Sequence, residues 1–330
     1  MIKRRTLIST LGSAVATWPL SARTQQGERM RRIGILMPYS PGDAAQQSRV
    51  RVFREELRKK GWASGVNVQF DERWTTDNID LIRSAVSNLV ELKPDAILAT
   101  GGRVIPIVMQ TTRSIPIVVP AGVDPVEQGY AKTLARPGGN VTGFTSMETS
   151  VIGKVLQILK DIAPQVSRVA YIGNPDNNGT TFMVPAFQSA AGPLGIESVI
   201  SPIHGLADIE RAIAAVAAQP NGGLYVPLDL TISALAEQTV TAAAQHRLPA
   251  VYSERLFATK GGLVSYGVDR ADLYRNAAAY VDRILRGEKP GDLPYQQPTK
   301  YELVINRKTA NALGLDIPMK LLVAADEVIE

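Results

Sequence analysis

Several clusters of polar residues in this sequence have the types and spacing to hold a small charged molecule. Thr100, Gly101 and Gly102 stand directly after the apolar run DAILA and open a segment of helical pattern. Backbone amides at a helix start attract an anion, and glycine lets a ligand come close. A carboxylate suits that place, and Arg103 adds a guanidinium able to grip it with two parallel hydrogen bonds. The same residues also fit a tight strand-to-helix turn with Arg103 in solvent. Asp124 and Asp229 each follow an apolar run and have the charge to hold a ligand ammonium group. Each fits a helix cap as well, Asp124 because Pro125 follows it and Asp229 because LTISALAEQTV does. The stretch NPDNNGTT, with Asn174, Asn177 and Asn178, is dense in groups that both donate and accept hydrogen bonds. It suits a zwitterion or a hydroxylated ligand, or an ordinary asparagine-rich turn. Tyr39 beside Ser40, Trp74, Phe144 and Tyr266 offer apolar walls to a cleft, or core and rim packing.

Covalent and metal chemistry finds little support. The two histidines, His204 and His246, lie 42 positions apart without metal-ligand spacing, and there is no cysteine. The nucleophile pattern G-x-S-x-G is approached by LVSYG, but position 263 is Leu. No G-x-G-x-x-G or G-x-x-x-x-G-K-[ST] occurs, and the carboxylate pair Glu55 and Glu56 falls on a surface helix. A binding protein is expected rather than an enzyme, with no catalytic residues, no metal and no cofactor.

The net charge of +5 is concentrated at the start. Residues 1–24 hold Lys3, Arg4, Arg5 and Arg23 and no acid, so 32 of the 36 basic residues remain against 31 acidic ones. That near balance gives no footprint for nucleic acid. The segment itself runs from a basic start, MIKRR, through an apolar stretch of small residues to SARTQQ. It is too short to span a membrane and has the layout of an export signal. Arg4 and Arg5 before Thr6, Leu7 and Ile8 fit the twin-arginine type. Without a cysteine there is no disulfide framework and no lipid-anchored mature start.

From Arg31 onward, short apolar runs alternate with helical patterns. RIGILMP reads as a buried parallel strand; Val50, Phe53 and Leu57, then Ile79, Ile82, Val86 and Leu89, recur at helical spacing. Asp77 or Asn78 is placed to cap the second helix. Such alternation implies a parallel sheet covered on both faces. The pattern then begins again. RIGILMP and RVAYIGNP start 136 residues apart, and Pro116 in RSIPIVV lies 133 residues before Pro249 in RLPAVY. A nearly constant interval points to two similar lobes. Between the copies lies LARPGGNVTGFTS (residues 134–146), with residues 137–140 read as a turn and 141–145 as a strand crossing between lobes. Gly143 is expected to absorb backbone change there, and its replacement by a β-branched residue to alter closure more than fold stability. In open α/β sheets ligands bind beyond the carboxyl ends of the strands, which selects the loops that hold the candidates named above.

Longer blocks carry a family resemblance: IPIVVPAGVDPVEQGYAKTLARPGGNVTGFT, HRLPAVYSERLFATKGGLVSYGVD, YVDRILRGEKPGDLPYQQPTKYELVINRKTANALGL and the closing ADEVIE. Across residues 31–330 the chain resembles the periplasmic substrate-binding proteins of ABC transporters, in the group that includes tryptophan/tyrosine-type binding proteins. The resemblance implies a type I periplasmic binding fold, an α/β architecture of two Rossmann-like parallel-sheet lobes joined by three crossovers. It implies residues 31–143 with 265–300 in one lobe, and 144–264 with 301–330 in the other. It further implies a small ligand enclosed between them, most simply an aromatic or branched amino acid. The expected partner is an ABC permease in the inner membrane, and the expected setting is the periplasm as a monomer. A nucleoside or sugar ligand, or presentation of the ligand to a signalling receptor, is the alternative.

Overall fold

The computed structural model describes residues 29–330 apart from Asp77 and Met147, with Asn178 described by its backbone only. The export segment expected at 1–24 lies outside the described residues. The chain begins with β1 (Arg31–Met37), whose Ile33, Ile35, Leu36 and Met37 have no exposed surface. Its two buried faces are what a run without polar alternation requires. α1 (Ala44–Lys59) follows, capped by Asp43, whose carboxylate accepts from the Ala45 and Gln46 amides. Then come β2 (Val68–Trp74) and α2 (Ile79–Glu91). Asn78 caps α2; Asp77, the other candidate, lies outside the described residues. β3 (Ala96–Ala99), α3 (Val104–Thr111), β4 (Ile117–Gly122) and β5 (Val141–Thr145) complete a five-stranded parallel sheet in the order β2-β1-β3-β4-β5.

The second lobe starts with α4 (Val151–Ile162), β6 (Arg168–Gly173), α5 (Asn178–Ala191), β7 (Glu197–Pro202) and α6 (Leu206–Ala217). β8 (Gly222–Val226), α7 (Leu230–Ala234), α8 (Ala236–Gln245), β9 (Ala250–Tyr252), α9 (Arg255–Thr259) and β10 (Val264–Val268) follow. Its sheet runs β10-β9-β8-β6-β7, the order of the first sheet repeated strand for strand. The two-lobe reading of the repeated proline-marked runs is thereby realised: Pro116 enters β4 and Pro249 enters β9. Helix α10 (Arg270–Leu285) then packs Leu273, Tyr274, Ala277 and Val281 into the first lobe beside α1. The chain returns as β11 (Tyr301–Asn306), with α11 (Arg307–Leu313), α12 (Met319–Ala324) and β12 (Glu327–Ile329) extending the second sheet to seven strands. β11 runs antiparallel to β10, because one leaves the second lobe and the other re-enters it from the same side. Each sheet has a helical layer and a hydrophobic core on both faces.

The chain passes between lobes three times: after β5, after β10 and before β11. This is the α/β fold of two lobes and three crossovers. Two boundaries differ from the sequence reading. Phe144 and Thr145 pair with the first sheet, since Thr145 lies opposite Gly122 in β4, so the first passage comes after 145 rather than 143. Residues 265–268 belong to β10 and pair with β9 and β11 in the second sheet, and only the part from α10 onward joins the first lobe.

Gly143 also has a different job from the one expected. Its φ is +152°, and a Cβ built there would lie 2.1 Å from the Val119 carbonyl oxygen. The pairing of β4 and β5 shifts register between Val119 and Gly122, and the close approach at that irregularity admits only glycine. Gly143 is a requirement of the sheet, so replacing it disturbs folding before it disturbs closure.

Candidate functional site

The carboxyl ends of both sheets face a cleft with a free volume of about 170 Å³. The first lobe contributes Tyr39 after β1, Thr100 to Arg103 after β3, Ala121 to Val123 at β4, and Gln128 and Tyr130 from the loop that follows. The second contributes Asn174, Asp176, Asn177 and Gly179 after β6, and residues 228–231 after β8. Arg270, the first residue of α10, closes the floor. Ile105, Ala121, Val123, Leu228 and Leu230 make the wall partly apolar.

Each polar group is fixed by local structure. Gly101, at φ +98°, turns β3 into α3 with its α-carbon against Pro38, and the amides of Gly101 and Gly102 donate to no group among the described residues. On the opposite wall, Asp229 caps α7 with Oδ1, accepting from the Thr231 and Ile232 amides at 2.9 and 3.2 Å. Its Oδ2 accepts from the Asn174 amide, Asn177 Nδ2 and Thr180 Oγ1 at 3.2, 3.1 and 2.8 Å. Asn174 Nδ2 donates to Thr231 Oγ1 at 3.0 Å, and its Oδ1 accepts from the Asp176 amide at 2.9 Å. Asn174, Asn177 and Thr180 of NPDNNGTT thus form a knot around one buried carboxylate and spend hydrogen bonds within the protein. Among the described residues, the side chains of Asp176, Gln128 and Tyr130 line the cleft without a hydrogen-bond partner. Burial raises the Tyr130 phenol above its usual range, so it stays a neutral donor.

Behind the floor, Glu254 of the second lobe meets two arginines packed with the first. Its Oε2 lies 3.5 Å from Arg49 on α1 and 3.9 Å from Arg270, while Ser233 donates to Oε1 at 2.5 Å. Burial, then the neighbouring Arg270 charge, holds the Arg49 guanidinium below the ordinary arginine range, and Glu254 works the other way. Burial pushes the adjoining Tyr274 phenol up to about 12, so it adds no negative charge at neutral pH.

Of the residues named from sequence, Tyr39, Thr100, Gly101, Gly102, Arg103, Asn174, Asn177 and Asp229 line the cleft. The structure does not bring the others to its wall. Ser40 accepts from the Gly42 amide in an exposed turn. Trp74 packs at the edge of the first-lobe core and donates to Glu72 at 3.1 Å. Asp124 caps the turn after β4, accepting from the Val126 and Glu127 amides. Phe144 is 1% exposed and packs on Tyr280, with ring centroids 4.7 Å apart. Tyr266 stacks on Tyr301 beside a smaller hollow that adjoins the cleft near the passages between lobes. The Asn178 side chain lies outside the described residues. Sequence reasoning did not name Gln128, Tyr130 or Arg270, and it covered Asp176 only as part of NPDNNGTT. Applied to β10, the rule of strand ends points at Arg270; Gln128 and Tyr130 sit within the long loop after β4, where the same rule names only its first residues.

No helix among the described residues is long and apolar enough to cross a membrane. The family model for "ABC transporter substrate binding protein" matches residues 30–329. A tyrosine-binding protein of Clostridioides difficile (strain R20291) is 28% identical over 290 residues, 87% of this chain and 82% of that one. The crystal structure of a conserved domain protein from Vibrio cholerae O1 biovar El Tor superposes with a TM-score of 0.84 at 26% identity, over 91% of this chain and all of the other. An ABC domain from Streptococcus pneumonia in complex with L-Trp superposes with a TM-score of 0.83 at 22% identity, over 91% and 99% of the two chains. Substrate-binding proteins of this kind bind and release without turnover. By the extent of the family match, the two-lobed fold and the cleft between the sheets, the chain belongs to the ABC transporter substrate binding protein family.

Proposed function

We propose that this protein binds a free amino acid, aromatic or branched, in the cleft between its lobes and delivers it to an ABC permease. The observation that carries the reading is the wall of the cleft, which joins apolar surface to polar groups of both charge signs, Arg270 on one side and Asp176 on the other. The relatives support it, one being a tyrosine-binding protein and another a complex with L-Trp. Magnitudes agree. Micromolar binding corresponds to about 8 kcal/mol. Burying one large apolar side chain contributes about 2–3 kcal/mol, and each charge-assisted hydrogen bond about 1.5–3 kcal/mol. One side chain and two paired charges reach that range before entropic costs. The basic, apolar N-terminal segment with its arginine pair supports export by the twin-arginine route to the periplasm, where the protein works as a monomer. Thermal-shift screening of the purified protein tests the ligand class: aromatic or branched amino acids raise the melting temperature. A rise with pentoses or nucleosides and none with amino acids contradicts it.

A further inference from the structure

The walls of the cleft carry opposite charge. Both cationic side chains that line it, Arg103 and Arg270, belong to elements packed on the first lobe; both acids, Asp176 and Asp229, belong to the second. On the cationic side the charge is in excess. Arg49 and Arg270 share one carboxylate, Glu254, the only acid in an ion pair with either among the described residues. The Arg270 side chain is 10% exposed, and its Nε, like Arg49 Nη1, is buried without a hydrogen-bond partner. An anion beside Arg270 would bring a second counter-charge to two guanidiniums that share one carboxylate. The unpartnered amides of Gly101 and Gly102 lie on the same wall. On the acidic side, Asp229 already accepts five hydrogen bonds, which leaves the Asp176 carboxylate free for a cation.

We infer that this polarity orients the ligand, with its carboxylate toward Arg270 and the Gly101 and Gly102 amides of the first lobe and its ammonium group toward Asp176 of the second. The inference rests on the amino-acid reading of the cleft. Its consequence is mechanical. The zwitterion contributes one charged contact to each lobe, and both are made together only when the lobes are shut, so the ligand favours closure through its own two poles. A molecule with one pole engages one lobe.

Calorimetric titration of the purified protein tests this. L-tyrosine, L-tryptophan and L-leucine are titrated first, then the deaminated acid and the decarboxylated amine of whichever binds best. Asp176→Asn, at an exposed position, should lower affinity for the amino acid by about tenfold or more and leave affinity for the deaminated acid within about twofold. Arg270→Gln should weaken the amino acid and the deaminated acid alike and spare the amine. If Asp176→Asn leaves the amino acid unaffected, or weakens the deaminated acid equally, the pole assignment is wrong while the amino-acid reading stands. If the wild type binds no amino acid, both fall.

Discussion

Both oxygens of the Asp229 carboxylate are taken, by two amides of its own helix and by three groups from the loop after β6 and the first turn of α5. An aspartate after a buried strand was legible as either a cap or a cation site. The partners that decide between them lie about fifty residues away and leave no local mark. Asp229→Ala strips five donors of their acceptor in a place that is 1% exposed, and should cost about 2–4 kcal/mol in urea unfolding, with ligand affinity falling as a consequence of the loosened loop. Phe144 was misplaced for a related reason. Alternation along β5 turns it toward α10, while Ser146, just past the strand, reaches the cleft. At Gly143, a Cβ meets backbone and has nowhere to move. Gly143→Val should destabilise the protein by about 3 kcal/mol; an unchanged melting temperature with altered ligand affinity restores the hinge role.

Among elements, the near-constant interval between copies pointed to two similar lobes, and most strands, though not β7 or β8, could be read from apolar runs. β12 could not, because a three-residue edge strand has too few positions for a pattern. Arg270 stands just past the end of β10, where the rule of strand ends applies, but which lobe it serves follows from the docking of α10 on the first lobe. Asp269 starts α10, accepting from the Asp272 amide and from Lys300 at 2.8 Å, and so ties the second passage between lobes to the third. Burial alone raises its pKa, but the hydrogen bonds from Lys300 and the Asp272 amide, with the Lys300 and Arg275 charges, more than offset this and hold it below the ordinary 3.8. A lowered folded-state value stabilises above the unfolded pKa and is lost as pH falls through the folded one. Asp269→Ala should thus be less stable than wild type by about 1 kcal/mol at pH 7, with the gap narrowing below pH ~4. Urea midpoints at pH 7 and pH 3 check this, and a gap that widens in acid contradicts it.

For the whole molecule, the lobes meet through their passages and through Glu254, which joins two arginines across the divide. Removing that carboxylate leaves two buried guanidiniums facing each other, a change worth about 3–5 kcal/mol against the shut arrangement. Glu254→Ala should therefore enlarge the radius of gyration in small-angle scattering and weaken ligand binding without altering either lobe's secondary structure; an unchanged radius and affinity would remove Glu254 from the account of closure. The central claim is that one amino acid is held between the lobes. Equilibrium dialysis of the purified protein against radiolabelled L-tyrosine and L-tryptophan tests it most directly. The account predicts saturation at one equivalent per chain, displaced by other aromatic or branched amino acids and not by ribose or adenosine. Retention of ribose or adenosine with no retention of any amino acid would contradict it.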